Sequence, residues 1–233
     1  MSESATVVPA PSFGWAHFFG LVKRLGFAPR CVLDVGANHG HWTRQAAGFF
    51  PAATFVLVEP QGQLRAHVQD LVERGIDLRW VTAGASDLAG RLPLTIAPDD
   101  VSSNFGMTPE AAAAHGYRQT MVEVRTIDDI IATAGVPPPE MVKIDAEGFD
   151  LKALAGASGL LGKTDIFFLE AAVCAGGIDN TMAAVVARMH DAGYRMIDIT
   201  DINRSPKHGV LWLCELAFLR DGSRLLDAAR SYV

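Results

Sequence analysis

A chain of 233 residues, 49% of them apolar, can bury a sheet covered by helices on both faces as one α/β domain. With 20 Lys+Arg against 26 Asp+Glu the formal charge is −6, and no Lys/Arg run forms a local patch, which argues against a nucleic-acid partner. No run approaches the ~18 apolar residues of a membrane span, so no integral membrane association is expected.

Residues 1–12 read as a flexible tail with two prolines, without the basic and apolar regions of a secretory signal. A helix rich in aromatics is predicted over 13–27, within an N-terminal segment 13–29. Its apolar residues cover more than one face, which suits packing on the sheet edge or over a ligand cleft. A homodimer contact or a membrane surface is the alternative. From residue 30 strands and helices alternate through to 233. Strands are predicted over 31–35, 54–58 and 78–83, with helices from the Gly-rich turn to about 49 and over 64–74. Later strands fall at 141–144, 166–169, 195–199 and 211–218, with a helix over 181–192. This interval means βαβ units and a mainly parallel, doubly wound sheet. The last two strands lack a helix between them and suit an antiparallel hairpin. Residues 90–129 break the rhythm with a strand pair, 92–96 and 121–125, around a long loop, the expected substrate loop or lid. Cys31, Cys174 and Cys214 have no CxxC spacing and sit in or beside apolar runs. They read as buried thiols in a reducing compartment, and a cytoplasmic location follows as the expectation.

The run Val32-Leu33-Asp34-Val35-Gly36-Ala37-Asn38-His39-Gly40 carries the most chemical information. A strand ending in Asp-Val-Gly and turning into a helix sets backbone N–H groups around a ligand at the carboxyl end of the sheet. Gly36 permits the tight turn, Gly40 permits close approach, and Asn38 tolerates a left-handed conformation. A dinucleotide-binding G-x-G-x-x-G is not met, because Asn38 and His41 stand where its second and third glycines belong. S-adenosylmethionine has no phosphate to place at the helix N-terminus, so the departure favours that methyl donor over NAD. Glu59, with Pro60, ends the second strand where a carboxylate accepts from both ribose hydroxyls of either cofactor. Ser86 and Asp87 fall where adenine should lie.

Lys143-Ile144-Asp145-Ala146-Glu147-Gly148-Phe149-Asp150 ends the fourth strand of the alternation and opens a helix. Asp145 and Glu147 there are either partners of a helix dipole or groups that orient a substrate, take its proton or bind a metal. VLDVGANHG, VEP, SSNFGM, VRTIDDIIA, VKIDAEGFDLKALAGA and FFLEA together make the chain resemble the FkbM family of methyltransferases over roughly 31–218. The resemblance implies a Rossmann-like class I methyltransferase fold with a seven-stranded sheet. It also implies transfer of a methyl group from S-adenosylmethionine to a hydroxyl of a sugar, glycolipid or natural product.

An alcohol needs help to lose its proton in such a transfer. The candidates are Asp145, Glu147, Glu170 at the end of the fifth strand, and His115 in the long loop. Asp145 and Glu170 end adjacent strands and could share a hard cation such as Mg²⁺. His39 and His41 flank the turn with an open role. Ser102, Ser103 and Asn104 are suited to hydrogen-bonding a polyhydroxylated acceptor. Cofactor contacts are expected from Asp34, Gly36, Ala37, Asn38, Gly40, Glu59, Pro60, Ser86, Asp87 and Asp145. Two alternatives remain at this stage: an NAD-dependent oxidoreductase, and a non-catalytic module that only binds S-adenosylmethionine.

Overall fold

The computed structural model describes residues 13–99, 102–174 and 178–230; the expected tail at 1–12 lies outside them. Seven strands make the main sheet. In chain order they are β1 (Cys31–Val35), β2 (Thr54–Val58), β3 (Leu78–Val81), β7 (Met141–Ile144), β8 (Ile166–Ala172), β9 (Tyr194–Arg204) and β10 (Leu211–Arg220). Their spatial order is β3-β2-β1-β7-β8-β10-β9, with β10 antiparallel to both of its neighbours. The other pairings are parallel. The doubly wound α/β sheet with a C-terminal antiparallel strand is therefore present.

The strands are buried on both faces because helices cover both. On one side Cys31, Leu33 and Val35 of β1 pack with Ile127 and Ile130 of α5 (Ile127–Ala134), Leu154 of α6 (Asp150–Ala155) and Val185 of α7 (Met182–Asp191). On the other, Val32 packs with Phe18 and Phe19 of α1 (Trp15–Arg24), Trp42 of α2 (His41–Phe49), Leu71 of α3 (Gln69–Glu73) and Leu225 of α8 (Arg224–Arg230). Phe18 and Phe19 meet Phe168 of β8 edge-on, with centroids 5.1 and 5.9 Å apart. Most of the apolar face of α1 thus goes into this chain's own core. Thr126 and Thr181 cap α5 and α7 by accepting from Asp129 N and Ala184 N, and Gly135 ends α5 in the left-handed conformation at φ 67°.

Three departures from the expected elements have local causes. Residues 64–74 form a 3₁₀ turn over Gly62–Val68 followed by the short α3, with Leu64, Val68 and Leu71 buried. The third strand stops at Val81, and Gly84–Ala85 becomes β4 of a second sheet. That sheet has the order β4-β6-β5, from β5 (Gly90–Ile96) and β6 (Arg118–Arg125) with α4 (Pro109–Ala114) between them. Within the loop expected between the paired strands, α4 and the first three residues of β6 are regular structure. The buried-thiol reading needs one correction: Cys31 and Cys214 are buried, but Cys174 is exposed just beyond β8. No helix among the described residues is long and apolar enough to cross a membrane.

Candidate active site

The strand order reverses between β1 and β7, and a crevice opens at their carboxyl ends. There the chain turns at Gly36 (φ 75°), whose N–H donates to Val58 O at 2.9 Å. A side chain at this position is impossible: a Cβ would lie 1.7 Å from Asp145 O. Asn38 takes φ 44° and its Oδ1 accepts from His39 N at 2.8 Å, the local bond that lets Asn adopt the left-handed region. Gly40, the N-cap of α2 at φ 74°, packs so close to Val68 that a Cβ would meet its Cγ1 at 2.5 Å. Asp34 lies beneath the turn, fully buried, accepting from Thr43 Oγ1 at 2.5 Å. It shapes the turn from below.

Glu59 is the floor of the crevice. Its two carboxylate oxygens accept from Asn38 N at 3.0 Å and Gln61 N at 2.9 Å. These bonds fix the carboxylate plane, and each oxygen keeps acceptor capacity for a ligand hydroxyl. Burial raises its pKa, while the bonds from the two backbone N–H groups pull it back down. Gly36, Asn38, Glu59, Pro60, Gln61 and Asp145 all line one cleft at this point.

The apolar wall comes from elsewhere than expected. Ala83, Gly84 and Ala85 line the cleft, whereas Ser86 is buried with its hydroxyl on Asp87 at 3.0 Å and Asp87 is exposed. Leu94 of β5 and Phe105 complete a flat apolar slot, and Phe105 sits so near Gly84 that a Cβ there would meet its ring at 2.5 Å. Of the polar triplet, Ser103 lines the cleft. Ser102 is held by Asp99, and Asn104 bridges back to Thr95 while its Oδ1 accepts from Gly106 N. His115 lies exposed just after α4, stacked on Tyr117 at 5.6 Å and away from the cleft. His39 stacks on His67 at 4.3 Å, and His41 is an exposed first residue of α2; neither lines the cleft.

Beside the cleft, strand alternation gathers charged residues on the α1-facing side of the sheet. Lys143 shares the parity of Met141, Asp34 of Val32, Glu170 of Phe168 and Glu215 of Ala217. Lys143 Nζ reaches Asp145 Oδ2 at 2.8 Å and lies 4.0 Å from Asp34 Oδ1. The surrounding carboxylates hold its pKa above the usual lysine value even though burial opposes the charge. Glu170 and Glu215 stand directly opposite each other on β8 and β10. Glu215 accepts from Trp15 Nε1 at 2.7 Å and Thr200 Oγ1 at 2.5 Å, which ties α1 to the sheet. Asp150 is buried and clamps the turn after β7, accepting from Ala146 N and Gly148 N, both at 3.1 Å, and from Asn180 Nδ2 at 3.0 Å. That clamp holds Glu147 at φ 50°, a strained value for a side-chain-bearing residue.

The Mg²⁺ expectation at Asp145 and Glu170 is not supported. Among the described residues no group of three or more His, Cys, Asp or Glu is arranged to hold a metal ion. The positive charge beside Asp145 is the ammonium of Lys143. Sequence reasoning also passed over Lys143 and Glu215 as parts of this layer. A lysine inside a buried strand is a signal that a paired charge lies opposite it.

Burial and like-charge neighbours raise Glu147 to about 8, Asp150 to about 7 and Glu215 to about 7, and raise Glu170 strongly. Folded-state pKa values above the unfolded ones mean the folded chain holds extra protons between about pH 4.5 and 8. The associated stability is complete below the unfolded values and is lost as pH rises through the folded ones. Glu215 alone, shifted from 4.5 to about 7, contributes on the order of 3 kcal/mol. Melting of the ligand-free protein is therefore expected to drop by several degrees between pH 5 and pH 8, and Glu215→Gln is expected to flatten part of the slope. A melting temperature that rises over this interval would contradict the assignment.

Comparison with known proteins agrees with this geometry. The methyltransferase FkbM domain matches residues 34–196, most of the chain. The hexuronic acid methyltransferase AglP of Haloferax volcanii is 28% identical over 85 residues, 34% of this chain and 36% of that protein. The aligned stretch thus spans about a third of the curated relative. Among solved structures, the O-methyltransferase TomG of Streptomyces achromogenes, solved in complex with SAM, superposes with a TM-score of 0.50. It is 17% identical, over 89% of this chain and 79% of that one. An rRNA methylase from Streptococcus thermophilus superposes with a TM-score of 0.50 at 10% identity, over 93% of this chain and 99% of that one. At these identities the structures speak for the fold alone, the Rossmann-like fold of class I methyltransferases. The chain belongs to the FkbM methyltransferase family.

Proposed function

We propose that the chain transfers a methyl group from S-adenosylmethionine to a hydroxyl oxygen of a sugar, glycoconjugate or natural product. The observation that carries this reading is the anchored Glu59 carboxylate at the floor of a cleft walled by the side-chain-free turn at Gly36. Glu59 suits the ribose hydroxyls, the slot of Ala83, Ala85, Leu94 and Phe105 suits adenine, and Asn38 with Asp145 borders the remaining polar end. NAD fits less well. The N-terminus of α2 that would take its pyrophosphate is covered by Val68 and by Arg44, whose guanidinium bonds His39 O at 2.6 Å and also reaches His67 O.

The bound donor supplies an electrophilic methyl carbon on a sulfonium. The chain's own residues hold the acceptor oxygen in line with it and take the hydroxyl proton as the C–O bond forms and the C–S electrons return to sulfur. Glu147 is the best-placed base, since it lines both the donor cleft and an adjoining recess. With its pKa near 8, transfer is expected to rise with pH up to about 8 and then level off. Glu147→Gln is expected to lower the rate by about 10²- to 10⁴-fold and to remove that rise.

The AglP relative, by name, acts on a hexuronic acid, which keeps a sugar among the acceptors to try. The test is label transfer from methyl-labelled S-adenosylmethionine to a panel of glycosides, followed by alkali treatment. Alkali-stable label on a glycoside without an amine means an ether formed on a hydroxyl, as proposed. Label released by alkali means an ester formed on a carboxyl and contradicts the O-hydroxyl reading.

A further inference from the structure

A second recess adjoins the donor cleft and shares Glu147 with it. Glu170, Asn180, Trp212, Leu213 and Ile178 also line it. Asn180 is 2% exposed, and its Nδ2 donates to Asp150 Oδ2 at 3.0 Å and to Glu170 O at 2.7 Å. Those two acceptors fix the amide orientation, because a flipped amide would set oxygen against oxygen. Its Oδ1 has no hydrogen-bond partner among the described residues. An unmade bond of this kind is costly at a buried position and calls for a donor. Glu147, Glu170 and Asn180 are the polar side chains along the recess, and Trp212 adds an aromatic face that is 41% exposed.

We propose that this recess is the acceptor subsite and takes a protonated amine of the acceptor molecule, as an amino sugar would present. The inference rests on the methyl-transfer reading above, with the reactive hydroxyl directed toward Glu147 and the donor cleft. An ammonium brings donors and a positive charge to the Glu147 and Glu170 carboxyls and displaces the protons they hold near neutral pH. Trp212 supplies a face for the sugar ring or the cation. An acceptor carboxylate would instead find no cation among the described residues that line the recess. The raised proton affinity of both carboxyls, from burial and the neighbouring Asp145 and Asp150, has a matching consequence: ammonium takes over the protons' role, and binding releases protons.

The experiment titrates the full chain, saturated with S-adenosylhomocysteine, with D-glucosamine, D-glucose and D-glucuronate in buffers of different ionisation enthalpy. Glucosamine is expected to bind at least tenfold tighter than glucose, glucuronate no better than glucose, and proton release near pH 7 to accompany glucosamine alone. Glu170→Gln and Trp212→Ala are each expected to weaken glucosamine by fivefold or more while leaving S-adenosylhomocysteine affinity within twofold. Glucuronate matching glucosamine, equal affinity for glucose and glucosamine, or no sugar binding to the S-adenosylhomocysteine complex would each overturn the subsite. Glucosamine binding without any S-adenosylhomocysteine binding would instead overturn the donor reading and leave the subsite standing.

Discussion

Lys143→Met is expected to destabilise the protein by about 3–5 kcal/mol, the usual result of removing one partner from a buried ion pair. Asp34 is 1% exposed, its Oδ2 accepts from Thr43 Oγ1, and the ammonium of Lys143 lies 4.0 Å from its Oδ1. Without that ammonium, Asp34 and Asp145 lie about the same turn with no cation between them. The melting temperature should fall by roughly 10 °C. Lys143→Arg should not restore it, because a forked guanidinium needs more room than a point charge in a face packed by Met141 and Phe168. Adding Asp34→Asn to Lys143→Met should recover part of the loss, since the unpaired charge goes with it. A loss below about 1 kcal/mol for Lys143→Met would show that Lys143 does not hold the layer together.

Glu59→Gln is expected to weaken S-adenosylhomocysteine binding by about 100-fold, near 3 kcal/mol. The carboxylate now accepts from two backbone N–H groups, Asn38 N and Gln61 N, one on each oxygen. A glutamine side chain keeps the volume, but it offers one oxygen to two donors and turns an NH₂ toward the other N–H. The turn therefore loses its tie at Asn38 or at Gln61, and the ribose loses charged acceptors worth about 1.5–3 kcal/mol each. Unchanged affinity in a variant that melts like the parent would remove Glu59 from the donor site.

Much of this site is written in short local patterns. Gly36, Asn38 and Gly40 sit in nine consecutive residues, and the need for a left-handed turn between a strand and a helix is legible there. Glu59 and Asp145 are legible for a similar reason, as acids just past the ends of apolar strands. The apolar wall of the cleft was not. Ala83–Ala85 line the cleft because Gly84 pairs with Val124 across forty residues, and no local pattern announces such a pairing. Ser86 and Asp87 fall by sequence where adenine would be expected, yet neither lines the cleft, and the Ser86 hydroxyl is turned to Asp87.

The recess was harder still to read. Asn180 stands two residues before α7, in a stretch that reads as an ordinary turn, and it becomes buried only through Asp150 and the carbonyl of Glu170. Cys174 shows the converse error. Its neighbours are apolar, but the chain has already left β8, and local apolarity without a strand to carry it inward does not bury a thiol. Trp15 is a third case: its aromatic ring suggested a packing helix, while its indole N–H on Glu215 depends on an antiparallel strand two hundred residues away.

The most direct test of the account is isothermal titration of the full chain with S-adenosylhomocysteine, with NADH titrated in parallel. Micromolar binding of S-adenosylhomocysteine, abolished or sharply weakened in Glu59→Gln, and no heat from NADH is the result the site predicts. Binding of NADH in place of S-adenosylhomocysteine would contradict the methyl-donor reading, and so would the absence of S-adenosylhomocysteine binding in the folded protein.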